Sequence, residues 1–197
     1  MSIRKIIKYG TPSLREKSKE VHKISKKVQI LIDDLFDTMY ATNGVGLAAP
    51  QIGENLRVFV IDTSTGKEAY RPMVFVNPKI IKKSGAMDSY EGCLSFPEAY
   101  TNVRRYSHIM VKALDAKGRP FVIEVNAEKD KLLTKAIQHE NDHLDGILFV
   151  DHARNRFDAD KVLTDKGLPP IDTEFLLEEC DLELLIAQKN EVDKPNA

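Results

Sequence analysis

Residues 138–146 read Gln-His-Glu-Asn-Asp-His-Leu-Asp-Gly, and the His139-Glu140-x-x-His143 spacing within them constrains this chain more than any other stretch. On an α-helix, residues four apart lie on one face, one turn above the other, so two imidazoles placed there can share a metal ion. Glu140 then projects to the flank, where it can reach a water on that ion without ligating the ion. The division suits hydrolysis. A divalent ion acidifies bound water to a pKa near ~7, and a carboxylate beside it takes the proton and later delivers it to the leaving group. The surrounding pattern is helical. Asn126 is a candidate N-cap, and Leu132, Leu133, Ala136, Ile137 and Leu144 share an apolar side. Gly146 follows as the breaker. A helix exposing only solvated charges would not need that apolar side.

The rest of the chain must fold around this helix. Its 197 residues are enough for one proper core. Residues 24–41 form an amphipathic pattern, with Ile24, Val28, Leu31, Ile32, Leu35, Phe36 and Met39 at spacings of three and four. Ser25 is the candidate N-cap, and Asn43-Gly44 ends the run. Short β-rich runs follow at 57–62 and 73–77. The alternating runs 109–114 and 121–125 are joined by turn residues and predict an antiparallel hairpin. Strands cluster before the motif helix instead of alternating with helices, so the expected class is α+β. Beyond Asp151 the signals weaken. Gly167-Leu-Pro-Pro170 is a break, and residues 174–188 read as a helix with Leu177, Cys180, Leu184 and Ala187 on one side.

A catalytic metal of this kind wants a third protein ligand and one open position. Metzincins place a third His six residues after the second, but Phe149 stands there. The remaining candidates are Cys93, Cys180, His22, His108, His152 and the tail carboxylates Glu174, Glu178 and Glu179. Cys180 reads as packing; His22, His108 and His152 read as surface or solvated loop histidines. Cys93 lies between Gly92, which allows unusual backbone angles, and Pro97. Its thiol can face a metal while the next backbone N–H faces a substrate oxygen, or it can be a buried structural cysteine. Residues 43–53, Asn-Gly-Val-Gly-Leu-Ala-Ala-Pro-Gln-Ile-Gly, lack the third glycine and the Gly-Lys-Ser/Thr of phosphate loops. They allow close backbone approach, or they form a tight helix-to-strand turn. Gln51 supplies a neutral donor suited to a developing oxyanion.

Three segments together, Gly44-Val-Gly-Leu-Ala-Ala-Pro-Gln51, Glu91-Gly-Cys-Leu-Ser95 and Gln138-His-Glu-Asn-Asp-His-Leu-Asp-Gly146, resemble in order and separation the three motifs of peptide deformylases. Gly10-x-Pro-x-Leu-Arg15, Ser18 and Val21 look like the same family, and the resemblance covers roughly residues 3–151. It implies antiparallel sheets packed around the metal-binding HExxH helix, with a long N-terminal helix and a C-terminal extension. It implies removal of the formyl group from the N-terminal formyl-methionine of newly made proteins, by attack of metal-bound water or hydroxide. Cys93, His139 and His143 would ligate one divalent ion, Fe(II) natively, with Zn(II) or Ni(II) able to occupy the site. Glu140 would act as general base and then general acid, and Gln51 with the Leu94 N–H would hold the oxyanion. Gly44, Val45, Gly46, Gly92, Tyr100 and Ile137 form the implied substrate-binding set, with Val45, Ile137 and His139 lining the methionine pocket. Some members carry a substrate-contacting Arg where Tyr100 stands; Tyr100 offers a stacking face or a hydrogen bond instead. Two rival readings stay open: a general HExxH metallopeptidase, and a non-catalytic metal- or peptide-binding relative.

Charge divides the chain. Residues 1–157 hold 25 basic and 19 acidic residues, whereas residues 158–197 hold 4 and 11. The expected organisation is therefore a catalytic domain over 1–157 and an acidic, partly helical extension over 158–197. The implied partners are N-formyl-methionyl peptides and nascent chains, with transient ribosome contact. Some members dock on the ribosome through a basic C-terminal helix, a pattern this acidic tail does not fit. A homodimer through 174–188 is open. There is no direct nucleic-acid signal. No apolar run suits a signal peptide or a membrane span. Two cysteines cannot build a disulfide framework, so the expected location is the reducing cytoplasm.

Overall fold

A computed structural model describes residues 2–64 and 72–171. The fold is mixed α/β with antiparallel sheets. The first long helix, α1 (Lys26–Ala41), starts at Ser25, whose side chain accepts from the Val28 N–H at 3.4 Å. Among the described residues seven strands follow: β1 (Gly46–Ala48), β2 (Val58–Ile61), β3 (Met73–Ser84), β4 (Met87–Cys93), β5 (Phe96–Arg105), β6 (His108–Leu114) and β7 (Pro120–Asn126). Then come α2 (Lys131–Leu144) and α3 (Arg156–Asp165). One sheet has the order β1-β2-β3-β6-β7, and β4-β5 form a separate two-stranded ribbon. The expected hairpin over 109–125 is β6–β7, with Leu114 opposite Pro120 and Gly118 at φ +78° in the turn.

Both faces of the larger sheet are covered at its β1–β2–β3 end. Leu47, Val58, Val60 and Val76 pack with Leu31, Leu35 and Met39 of α1. Their neighbours Ala48, Phe59, Ile61 and Phe75 pack with Ala136, Ile137 and Leu144 of α2. This explains why β2 is apolar at every position: alternate side chains enter opposite cores. Leu14, Phe96, Val103 and Phe149 form a third cluster with Leu163 of α3. No helix among the described residues is long and apolar enough to cross a membrane.

The cap expected for α2 needs correction. The cap of α2 is Asp130, whose side chain accepts from the Leu133 N–H at 2.8 Å; Asn126 instead ends β7. Ribbon β4–β5 has no counterpart in the hydrophobic pattern, because its inward positions include the polar Ser89, Glu91, Thr101 and Arg105. The boundary between 157 and 158 falls inside α3, and buried Ala159, Leu163 and Ile171 continue the core beyond it. The expected helix over 174–188 lies outside the described residues.

Candidate metal and catalytic site

Helix α2 presents His139 and His143 one turn apart, with ring centroids 5.1 Å apart. Its anchorage is polar as well as apolar. The Gln138 amide donates to Tyr106 O at 2.9 Å, and its oxygen accepts the Tyr106 N–H at 3.0 Å, so the helix is clasped to the link between β5 and β6. Cys93 arrives from the end of β4, where the ladder slips between Gly92 and Cys93 and closes at Cys93 opposite Phe96. That slip turns the sulfur toward α2. One ligand atom each from Cys93, His139 and His143 lie within 4.8 Å of one another, and Cys93 Sγ is 3.3 Å from His143 Nε2.

The chemistry of this donor set fits a divalent cation. Burial and the neighbouring His139 charge hold His143 well below the usual histidine range, which keeps its imidazole neutral, the form that can ligate a metal. Burial also works against charge on His139, but hydrogen bonds with Cys93 and Glu91 outweigh it and hold that imidazole well above its usual range.

His139 Nδ1 donates to Glu91 Oε2 at 3.0 Å, which leaves Nε2 for a metal. Glu91 accepts both a 3.0 Å and a 2.9 Å bond from Arg105. Burial works against ionisation of Glu91, but the Arg105 charge and the His139 bond hold it well below the usual carboxylate range. Arg105 also pairs with Asp142, and Asp142 with His152 Nε2 at 2.9 Å. The sequence motifs contain Glu91 and Asp142 without indicating this role, and nothing in the sequence pointed to Arg105. His152 is a correction: its side chain is mostly buried and paired, not a solvated loop residue.

Gln51 stands on a 3-10 turn (Ala49–Ile52) directly after β1. Its oxygen accepts the Ala48 N–H at 2.8 Å, which turns Nε2 toward Cys93 Sγ and Ser95 Oγ, each at 3.3 Å. Glu140 is buried, and its Oε2 has no hydrogen-bond partner among the described residues. Burial pushes its carboxyl up to about 7. Gly46 lies against it so closely that a Cβ there would sit 2.5 Å from Oε1.

A cavity of about 490 Å³ opens over these groups, lined by Gly44, Val45, Gly46, Gln51, Gly92, Cys93, Leu94, Tyr100, His139 and Glu140. Ile137 is not among its walls. That side chain is fully buried on the sheet side of α2, and Leu132 and Ala136 face the cavity instead. Tyr100 is half exposed and stacks on Tyr90 at 5.9 Å. Of the other candidate ligands, His22 is exposed and His108 pairs with Glu124 at 2.7 Å across β6–β7. Cys180, Glu174, Glu178 and Glu179 lie outside the described residues.

Comparison with known proteins converges on one family. A family model described as polypeptide deformylase matches residues 3–158. The chain is 49% identical over 151 residues to peptide deformylase 1 of Clostridium acetobutylicum, covering 77% of this chain and 95% of that protein. It is 48% identical over 155 residues to the peptide deformylase of Heliobacterium modesticaldum, covering 79% and 97%. Among solved structures it is similar to a peptide deformylase from Legionella pneumophila, with TM-score 0.77, 37% identity, and coverage of 98% of this chain and 100% of that one. It is also similar to one from Synechococcus elongatus in complex with actinonin, with TM-score 0.79, 36% identity, and coverage of 87% and 90%.

Proposed function

The chain belongs to the polypeptide deformylase family, and from that premise we propose that it removes the formyl group from the N-terminal formyl-methionine of newly made proteins. The observation that carries this reading is the convergence of Cys93, His139 and His143 beside the Gln51 amide and the buried Glu140 carboxyl. Those three side chains would hold one divalent ion, Fe(II) natively and Zn(II) or Ni(II) as substitutes. A soft sulfur with two imidazoles suits each of them. When bound, the ion supplies Lewis acidity, polarising a carbonyl and acidifying water. The reading assigns the protein to the cytoplasm, where a cysteine ligand stays reduced.

The chain's own residues do the rest. β1 is the outer strand of its sheet, and its open edge offers main-chain hydrogen bonds to an extended peptide, a recognition mode that tolerates many sequences. Val45, Leu132 and Ala136 offer apolar surface to the methionine side chain. As water adds to the formyl carbon, charge grows on the formyl oxygen and is met by Gln51 Nε2–H and the Leu94 N–H. Each such donor is worth about 3 kcal/mol in the transition state. Glu140, poised near neutrality, takes a proton from the attacking water and returns it to the departing amine.

Anaerobically purified protein, assayed with formyl-Met-Ala-Ser beside acetyl-Met-Ala-Ser, tests this. Formate release from the first with little cleavage of the second is expected. Equal turnover of the two would refute deformylation.

A further inference from the structure

Building on the proposed deformylation, we propose that residues 7–9, with Lys8 at their centre, are a positioning clamp for the two groups that meet the developing oxyanion. These residues form neither helix nor strand. The Ile7 N–H donates to Gln51 O at 2.8 Å, Lys8 Nζ to Leu94 O at 2.8 Å, and the Tyr9 N–H to Ser95 O at 2.9 Å. Three successive residues thus hold the backbone beside both oxyanion donors.

The hairpin tip needs this support. The β4–β5 ladder closes at Cys93 opposite Phe96, so Leu94 and Ser95 have no ladder partner. Their carbonyls are taken up by Lys8 and Tyr9, while the Ser95 N–H donates to Cys93 Sγ at 3.4 Å. Fixing Leu94 O limits rotation of the residue whose N–H is assigned to the oxyanion in the proposed reaction. The clamp is itself anchored at both ends. Upstream, the Ser2 N–H donates to Asp34 Oδ1 at 2.8 Å and the Arg4 N–H to Thr38 Oγ1 at 2.9 Å, both on α1. Downstream, the Tyr9 ring stacks on Phe96 at 4.3 Å.

Of the three ties only that of Lys8 comes from a side chain, and that side chain is exposed. It can be removed without disturbing the core. Lys8 also borders the cavity, so direct substrate contact is the competing role, and kinetics separates the two. Wild type, Lys8→Met and Lys8→Arg, matched for metal content by elemental analysis, are compared on formyl-Met-Ala-Ser. Removing an oxyanion donor outright costs about 10²–10³-fold, and loosening one forfeits part of that. Lys8→Met should therefore lower kcat by about 5–20-fold with KM within about twofold. Lys8→Arg, which keeps a donor, should recover to within about threefold. Tm should stay within about 2 °C, because an exposed polar tie contributes little stability. Unchanged kcat in Lys8→Met, or a rise in KM alone, overturns the clamp. Amide exchange at Ser95 and Tyr9, whose N–H groups donate to Cys93 Sγ and Ser95 O, gives a readout that does not need turnover. It should accelerate about tenfold in Lys8→Met, and unchanged protection overturns the proposal. A wild-type protein inactive on formyl peptide would instead refute the functional reading, with the exchange result still deciding the clamp.

Discussion

At Glu140 the proposed reaction makes two demands: the carboxyl must be close enough to the proposed metal ligands to move protons, and it must not be drawn into an ion pair that would hold it ionised. Burial without a hydrogen-bond partner for Oε2 among the described residues meets both. Glu140→Ala should keep its metal and lose at least about 100-fold in turnover, the usual range for a general acid–base group. Elemental analysis beside the formyl-peptide assay checks it, and unchanged turnover would remove Glu140 from the chemistry. Gly46 is required for a steric reason at the same place. A methyl at Gly46 would press on the Glu140 carboxyl from a strand held in a sheet. Gly46→Ala should therefore fold normally and lose at least about tenfold in kcat, since displacement of a catalytic group by about 1 Å can cost 10²-fold; normal kcat would show that Glu140 has room to shift. Cys93→Ser should lower iron occupancy after dialysis, because the hydroxyl is a harder and weaker ligand than the sulfur. Full occupancy would argue that the two imidazoles suffice.

The ribbon β4–β5 and helix α2 are coupled through charge. Arg105 on β5 sits between Glu91 on β4 and Asp142 on α2, almost entirely buried. Removing one partner from a buried ionic cluster leaves uncompensated charge, which typically costs about 3–5 kcal/mol. Arg105→Met should lower stability by that order in urea unfolding, and it should also weaken metal binding, because Glu91 would lose the group that orients it toward His139. A loss of stability without a change in metal affinity would make the cluster a structural tie only. The same element explains why the ribbon was hard to read from sequence. Strand patterns announce themselves by apolar alternation, and here the inward positions carry the charges and hydroxyls that serve the site.

For the whole molecule, the charge boundary and the packing boundary do not coincide. Acidic residues dominate from Asp158 onward, yet Ala159, Leu163 and Ile171 join the cluster that includes Leu14, Phe96 and Phe149. A chain ending at residue 157 loses the burial of one leucine and one isoleucine, about 3–6 kcal/mol by area bookkeeping. It should melt well below a chain ending at residue 171, and equal melting temperatures would support a domain boundary at 157. Read by itself, the sequence determined the parts whose chemistry is local. Helical spacing puts His139 and His143 on one face, Ser25 caps α1, and apolar alternation marks β6 and β7, because each depends on neighbours a few positions away. The three-motif resemblance extended that reading to Cys93 and Gln51. Only the tertiary structure decided what depends on residues far apart in the chain. It brought Cys93 within reach of His143 and Arg105 between Glu91 and Asp142. It set Ile137 against the sheet instead of the cavity, and it laid residues 7–9 across Gln51, Leu94 and Ser95. Distances of that kind are set by how whole elements pack, and no local pattern records them.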